Sequence, residues 1–332
     1  MTNIIYDNHN RPINYLRLAV TDRCNMRCTY CMPLNIKFLP KKELLDYEEM
    51  LRLCNVLAQM GIKKVRITGG EPFIRKEIDY FLKELNKING IEQIHLTTNG
   101  TLVNPHIPKL KAMGIKSVNL SLDSLEAERF KKITHTNDFD LVMNSIDQFL
   151  KHKISLKVNM VVMSGVNEED ILPMVSLSKT KPINVRFIEE MPFNGGQKNE
   201  DEIAFLSYKK ILQKIEAEYG ILQKVEDGPY STSLNYKIPG FKGSIGVIPA
   251  FSRTFCGTCN RIRITAKGEL KTCLYDNGVL NIKQLLRNGI TDEALKKVFL
   301  EKLSQRPKNG FEAEQKRTEA KVSYESMSSI GG

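Results

Sequence analysis

Three cysteines near the start of the chain have a spacing that could bind a metal. Cys24, Cys28 and Cys31 lie in the segment TDRCNMRCTYC, with no histidine or fourth cysteine beside them. Thiolates are soft ligands for zinc, copper(I) or iron–sulfur clusters, and structural zinc normally takes four protein ligands. Three thiolates suit a cubane iron–sulfur cluster with one iron left open for a small molecule. A zinc site completed by a distant ligand is the alternative that this spacing leaves open.

A second group of three cysteines lies toward the end of the chain. Cys256, Cys259 and Cys273 have the spacing Cys-x2-Cys-x13-Cys, again without a nearby histidine. The seventh cysteine, Cys54, lies on an apolar helical stripe and is expected in the core. Two sites with three thiols each predict a redox enzyme whose second cluster can bind a substrate. Disulfides are not expected, because cytoplasmic thiols are kept reduced.

Positively charged side chains recur inside segments that otherwise have the pattern of buried strands. They are Arg17, Lys64, Arg66, Lys157, Arg186, Arg261 and Arg263. Parallel strands are normally apolar on both faces, and an unpaired buried charge is very costly. A shared anion near the strand ends would compensate these charges, and the guanidinium fork suits phosphate oxygens. Because Trp is absent, a nucleoside triphosphate explains the net charge of +11 better than a nucleic acid does.

The elements that must position these residues alternate between strand and helix. Strand-like runs occupy Leu16–Val20, Lys64–Thr68, Gln93–Thr97, Ser117–Leu122, Ser155–Val162 and Asn184–Ile188. The segments between them have helical spacing, and Asp46 with Glu49 is expected to cap one of these helices. Such alternation predicts parallel strands joined by crossover helices. Six units are fewer than the eight of a closed barrel, so an incomplete barrel and an open doubly wound sheet both fit.

The composition changes after about residue 219, where Gly, Pro and Ser become frequent and short strand-like runs follow one another. We therefore predict a core region over 1–220 and a C-terminal region over 221–332. No apolar run reaches the roughly 18 to 20 residues of a membrane helix, and the first residues lack the layout of a secretory signal. A cytoplasmic protein that binds neither a membrane nor a nucleic acid is expected.

The first cysteine group carries a resemblance to a known superfamily. Its Cys-x3-Cys-x2-Cys spacing, with Tyr30 before the last cysteine, resembles the signature of radical S-adenosylmethionine (SAM) enzymes. The resemblance implies a [4Fe-4S] cluster whose open iron binds the amine and carboxylate of SAM. An electron from the cluster would then cleave SAM to a 5′-deoxyadenosyl radical. The segment Gly69-Gly70-Glu71-Pro72 is similar to the one that contacts the SAM amine.

The same resemblance implies which residues bind SAM. These positions are Tyr30, Gly70, Ser121 and Met191. Glu190 departs from the pattern, which usually has an apolar or aromatic residue at that place.

Over nearly its whole length the chain resembles one family within this superfamily, the GTP 3′,8-cyclases of molybdenum cofactor biosynthesis. The second cysteine group, followed by the terminal Gly331-Gly332, is the specific part of the likeness. It implies a second [4Fe-4S] cluster, whose open iron meets the guanine, and a tail that reaches into the site. The implied GTP-binding residues are Arg17, Arg66, Thr97, Lys157, Arg261, Ile262 and Arg263.

The predicted fold is α/β: an incomplete, TIM-like barrel of parallel strands with a C-terminal extension that carries the second cluster. The implied reaction converts GTP to (8S)-3′,8-cyclo-7,8-dihydroguanosine 5′-triphosphate in the first step of molybdenum cofactor biosynthesis. The expected partners are GTP, an electron donor and a downstream pterin-forming enzyme, and the chain is expected to be a monomer or homodimer. Two alternatives are a peptide-maturing radical SAM enzyme with an auxiliary cluster and a zinc-stabilised nucleic-acid-binding protein.

Overall fold

The computed structural model describes residues 4–193, 205–320 and 325–331. A short hairpin of β1 (Ile5–Tyr6) and β2 (Pro12–Ile13) precedes the main sheet. The centre of that sheet is formed by β3 (Tyr15–Ala19), β4 (Lys64–Thr68), β5 (Gln93–Thr98), β6 (Ile115–Ser121), β7 (Ser155–Val162) and β8 (Asn184–Glu189). These six strands are parallel and lie side by side in chain order, which confirms the predicted strand–helix repeat.

The C-terminal part of the chain extends both edges of this sheet. Its strands are β9 (Gln223–Lys224), β10 (Leu234–Lys237), β11 (Ser244–Ile248), β12 (Arg261–Ile264), β13 (Glu269–Lys271) and β14 (Leu280–Asn281). β11 pairs in parallel with β8, and β12 pairs in parallel with β3. The sheet therefore has eight adjacent parallel strands where the sequence predicted six. Within the described residues, antiparallel strands end the sheet on both sides and do not meet, so it stays unclosed.

The two predicted regions share this one sheet, because β11 and β12 both follow residue 220. The division into 1–220 and 221–332 stays a prediction about sequence regions. Strand-like runs at 243–247 and 261–265 are visible in the sequence, and they correspond to β11 and β12. Their parallel pairing with β8 and β3 was not predicted, because long irregular segments lead to them and no helix alternates with them.

Helices connect and cover the strands. They are α1 (Tyr47–Gln59), α2 (Ile78–Asn86), α3 (Ile107–Leu110), α4 (Ala127–Thr134), α5 (Phe139–Lys151), α6 (Ile171–Thr180), α7 (Tyr208–Tyr219), α8 (Ile282–Arg287), α9 (Asp292–Leu303), α10 (Gly310–Glu319) and α11 (Met327–Ile330). Asp46 and Glu49 form the predicted capping box at the start of α1. In the part of the chain that the structure describes, no helix combines the length and apolarity needed to span a membrane.

Alternate residues of each central strand face opposite sides of the sheet. On β3, Leu16 and Leu18 are fully buried in the hydrophobic core. Tyr15 and Arg17, from the same strand, instead line a cavity of about 710 Å³. This period of two is a property of the extended backbone, and it gives the sheet one apolar face and one polar face.

Candidate active site

The polar face of the sheet gathers the predicted cations. Strand pairing places Arg263, Arg17 and Arg66 in one row across β12, β3 and β4. The next row contains Arg261, Tyr15 and Lys64. All six side chains line the cavity.

The far side of the same cavity carries two more cations. Lys157 of β7 and Arg186 of β8 line it together with Thr97 of β5. Ile262 does not: it lies between two cavity-facing arginines on β12, faces the other way and packs in the core with 1% of its surface exposed. The structure thus brings six of the seven proposed GTP-binding side chains into one cavity.

These cations shift one another's titration because they share a confined space. Burial, followed by the charges of Arg186 and Arg66, lowers the pKa of Lys157 to about 7. Burial and then the Arg66 charge lower the pKa of Arg186 to about 10. Within the described ranges, the ion pairs of at most 4.0 Å include none from Lys157, Arg186 or Arg66 to a carboxylate. The cavity wall therefore has a strong positive potential that an anionic ligand would compensate.

The cations that line the cavity form a cationic wall, which consists of Arg17, Lys64, Arg66, Lys157, Arg186, Arg261 and Arg263. Tyr15 lies between two of them, Arg261 and Lys64, and was missed by the sequence analysis. Its hydroxyl accepts a hydrogen bond from Arg66 Nε at 2.6 Å, and Lys64 Nζ lies 4.8 Å from its ring centroid. Burial raises the pKa of Tyr15, but the Arg66, Arg17 and Lys64 charges outweigh it and lower the pKa to about 7. The spacing of two residues between Tyr15 and Arg17 is the signal that would have placed both on one strand face.

The first cysteine group follows β3 directly and opens into the same cavity. Cys24, Cys28 and Cys31 are free thiols that line it. Cys31 N donates to Cys28 O at 2.9 Å, which tightens the loop between them. Tyr30 donates from its hydroxyl to Asp123 Oδ2 at 2.9 Å, which ties the cysteine loop to the segment that follows β6.

The two glycines after β4 are required by the cysteine loop. Gly70 N donates to Thr21 O and Glu71 N donates to Arg23 O, both at 2.8 Å. A Cβ on Gly70 would lie 2.1 Å from Arg23 O, in the backbone that leads into Cys24. Gly70 therefore lies directly against the backbone of the cysteine loop. Gly70 lines the cavity, as do the other proposed SAM-binding residues Ser121, Met191 and Tyr30.

The second cysteine group lines the same cavity as the first. Cys256 and Cys259 belong to a short 3₁₀ turn after β11, and Cys273 follows β13. All three are free thiols that line the cavity. Of the three, Cys259 has a pKa that burial raises but that the nearby Arg306 and Arg261 charges bring below its usual value.

The end of the chain contacts both the first cysteine group and the cations of the sheet. Ser326 Oγ donates to Cys31 O at 2.7 Å, and Met327 lines the cavity. Arg263 Nη1 donates to Gly331 O at 2.7 Å. The described part of the tail therefore contacts the cationic wall, in the direction that the family resemblance implies. Gly332 lies outside the described residues.

The donor chemistry of both groups suits iron–sulfur clusters. Each offers three soft thiols that face one cavity, and neither has a histidine among its ligands. Over residues 4–193, 205–320 and 325–331, no three His, Cys, Asp or Glu side chains are arranged to hold a single metal ion. Three thiolates that leave one position of a cubane cluster to a small molecule match this set of ligands.

Comparison with known proteins agrees with this geometry. Residues 18–177 match the family model of the radical SAM superfamily, and residues 183–312 match that of Molybdenum Cofactor Synthesis C. The GTP 3′,8-cyclase of Clostridium perfringens (strain 13 / Type A) is 39% identical over 329 residues, which cover 98% of this chain and 99% of that protein. The mitochondrial GTP 3′,8-cyclase of Arabidopsis thaliana is 37% identical and is matched over 77% of its length by 90% of this chain.

Other relatives are longer than this chain. Molybdenum cofactor biosynthesis protein 1 of Dictyostelium discoideum is 39% identical over 301 residues, and the chain spans 48% of its length. The crystal structure of Streptococcus suis SuiB bound to S-adenosylmethionine has a TM-score of 0.59 at 16% identity, and the match covers 88% of this chain and 67% of that one. At this level of identity, the similarity shows that the two proteins share a fold.

The unclosed parallel sheet, the three thiols after its first long strand and the family match define a radical SAM protein. Membership of that superfamily implies SAM and a [4Fe-4S] cluster as cofactors. The similarity over full length places the chain in the GTP 3′,8-cyclase family. This assignment favours the iron–sulfur interpretation of the first cysteine group over the zinc alternative.

Proposed function

We propose that this chain converts GTP to (8S)-3′,8-cyclo-7,8-dihydroguanosine 5′-triphosphate, the first step of molybdenum cofactor biosynthesis. One observation carries the proposal: a wall of cations and two groups of three free thiols line a single cavity of about 710 Å³. A triphosphate supplies the negative charge that this wall lacks. The curated relatives named GTP 3′,8-cyclase support the same substrate.

The first cysteine group would hold the cluster that acts on SAM. Tyr30, Gly70, Ser121 and Met191 would bind SAM beside it, and all four line the same cavity as the first cysteine group. When bound, the cluster and SAM would supply radical chemistry for hydrogen abstraction at C3′ of GTP. The chain's own residues would hold SAM and GTP close together in the orientation that the reaction requires and would keep water out of the cavity.

The cationic wall would hold the triphosphate, and the second cysteine group would hold a second [4Fe-4S] cluster near the guanine. Arg17, Arg66, Lys157, Arg261 and Arg263 provide guanidinium and ammonium donors on the polar face of four strands. Thr97 Oγ1 accepts from Arg66 Nη1 at 3.4 Å and so helps to orient it. Ile262 would contribute through its backbone, since its side chain is in the core.

An electron donor and a downstream enzyme that forms the pterin are part of this proposal. The product is an isomer of GTP, because the hydrogen atom lost from C3′ is balanced by one electron and one proton added after the C3′–C8 bond forms. Reduction of SAM consumes a further electron. The enzyme therefore needs an external source of both electrons.

The test is an anaerobic assay of the full-length protein reconstituted with iron and sulfide and supplied with dithionite, SAM and GTP. We expect 5′-deoxyadenosine and a product with the mass of GTP but a different retention time to appear in step. Reactions without GTP, or with ATP instead, are the controls. If 5′-deoxyadenosine forms equally without GTP, the substrate assignment is wrong while the superfamily assignment stands. Tightly bound zinc without iron would contradict both.

Lys157 makes GTP binding dependent on pH. Its pKa of about 7 in the free site rises when a triphosphate neutralises the surrounding cations, so binding above that pH requires proton uptake. Below about pH 6 the ammonium is protonated in both states and no uptake is expected. At about pH 8, isothermal titration calorimetry in buffers of different ionisation enthalpy should detect up to about one proton taken up through Lys157.

The matched control for this prediction is Lys157→Arg, which stays charged over the whole range. It should take up roughly one proton fewer per GTP at about pH 8 and bind with an affinity that varies less with pH. Equal proton uptake by the variant and the wild-type protein would show that Lys157 is not the titrating group.

A further inference from the structure

Arg306 is a buried arginine that does not belong to the cationic wall. It lies just after α9, and its side chain is 3% exposed. Its three nitrogens make five hydrogen bonds to three separate parts of the chain. So complete a set of partners fixes the guanidinium in one position.

The hydrogen bonds of Arg306 join the two segments that carry the second cysteine group. Nη1 donates to Cys259 O and Nη2 donates to Arg261 O, both at 2.8 Å. Nε donates at 2.8 Å to the carbonyl oxygen of Thr272, the residue before Cys273. One side chain therefore joins the segments of Cys259 and Cys273, which flank the antiparallel pair of β12 and β13.

Arg306 also contacts a thiol directly. Its Nη2 lies 3.1 Å from Cys259 Sγ and donates a hydrogen bond to it. Hydrogen bonds to the sulfur ligands are one of the ways in which a protein sets the reduction potential of an iron–sulfur cluster. Reduction adds negative charge to the cluster and its thiolates, so a cationic donor at the sulfur stabilises the reduced form.

The counter-charge of Arg306 comes from the beginning of the chain. Asp7, whose side chain is fully buried, lies 3.1 Å from Arg306 Nη1 and 2.7 Å from Arg11 Nε. Arg11 in turn donates to the carbonyl oxygens of Cys256, Pro307 and Lys308. Arg11 thus shares the same carboxylate, the same burial and the same cysteine segment, but its hydrogen bonds go to backbone oxygens and not to a sulfur.

We propose that Arg306 is a positioning residue for the second cluster, which holds the two cysteine segments together and raises the reduction potential of the cluster through its hydrogen bond to Cys259 Sγ. This inference rests on the proposed function, in which the second cysteine group carries a [4Fe-4S] cluster. Asp7 neutralises the guanidinium and limits this effect.

The experiment uses the full chain with Cys24→Ala, Cys28→Ala and Cys31→Ala, so that only the second group can hold a cluster. After anaerobic reconstitution, iron content and an EPR-monitored redox titration are measured for this background and for the same background with Arg306→Gln or Arg11→Gln. Arg306→Gln should lower the midpoint potential enough to change the oxidised-to-reduced ratio roughly tenfold, about 59 mV for one electron. Arg11→Gln, which removes the same charge, should give less than half of that shift.

The outcomes separate this inference from the proposed function. A background protein that binds no cluster would refute the second cluster and, with it, the role of Arg306. A cluster whose midpoint potential is unchanged by Arg306→Gln, or is shifted equally by Arg11→Gln, would refute only the role of Arg306.

A further variant covers the case in which Arg306→Gln cannot retain the cluster. Asp7→Asn leaves the guanidinium in place and replaces its carboxylate by a neutral amide, so the midpoint potential should rise above that of the background. A midpoint at or below the background value would contradict the proposal.

Discussion

Replacing Lys157 and Arg186 together by glutamine is expected to weaken GTP binding by roughly a hundredfold or more. Both side chains line the cavity from neighbouring parallel strands. A hydrogen bond to a charged group contributes about 1.5–3 kcal/mol, and each 1.4 kcal/mol corresponds to about tenfold in affinity. The double variant therefore loses two such contacts with the triphosphate.

The same double substitution should not lower the stability of the protein in the absence of GTP. Burial is the main reason why the pKa values of Lys157 and Arg186 are lowered, and repulsion from neighbouring cations, Arg66 among them, lowers both further. Removing them relieves that repulsion, so the free energy of unfolding is expected to stay the same or rise. Reduced affinity with undiminished stability is the pattern of a binding site and not of a structural ion network.

The measurement is equilibrium binding of GTP near pH 7 together with denaturant unfolding and iron analysis. The matched control is Lys116→Gln with Lys151→Gln, which removes two exposed lysines and thus the same net charge. That control should bind GTP within about twofold of the wild-type protein at physiological ionic strength, because exposed charges are screened. If both double variants bind GTP equally well, the cationic wall is not the triphosphate site.

Gly70→Ala should remove the first cluster while leaving the second. The new Cβ would lie 2.1 Å from Arg23 O and 2.4 Å from Arg23 C, which are backbone atoms and cannot rotate away. The segment from Thr21 to Cys24 must therefore move, and it takes with it the first thiol of the group. Displacement of one ligand from a three-thiol site leaves too few ligands to retain a cluster.

Iron per chain after reconstitution should fall to roughly half, and SAM cleavage to 5′-deoxyadenosine should fall to the background level. Gly228→Ala is the control, since a Cβ at Gly228 has no neighbour within 4 Å. It should retain the full iron content and full SAM cleavage. Iron that is retained at the second cysteine group would show that the Gly70→Ala protein is still folded. Full iron together with normal cleavage in Gly70→Ala would show that the loop adapts to the extra carbon.

The sequence was most informative where chemistry depends on local spacing. Cys24, Cys28 and Cys31 are four and three residues apart, so a short loop is enough to bring them to one place. The pairs Lys64/Arg66 and Arg261/Arg263 are two residues apart on strands, which puts both members on the same face. The same rule excludes the side chain of Ile262 from the cavity, although the family resemblance had included it among the GTP-binding residues.

Residues that are far apart in sequence could not be related to one another in this way. Arg306 contacts Cys259 across 47 positions and Asp7 across 299, and no periodicity links such distances. Tyr15 has an apolar aromatic ring that is as suitable for the core as for the cavity. Only the tertiary structure shows that Tyr15 lies between Arg261 and Lys64 and that its hydroxyl accepts a hydrogen bond from Arg66.

The sequence by itself determined the ligand types, the strand faces on which the cations lie and the six-strand parallel core, because each follows from the local geometry of the backbone. The tertiary structure decided which strands are neighbours, and so which cations share a row. It also added β11 and β12 to the two edges of the core, which brings Cys256, Cys259 and Cys273 to the cavity that Cys24 borders. These relations depend on how long connections pack, and packing depends on the whole chain at once.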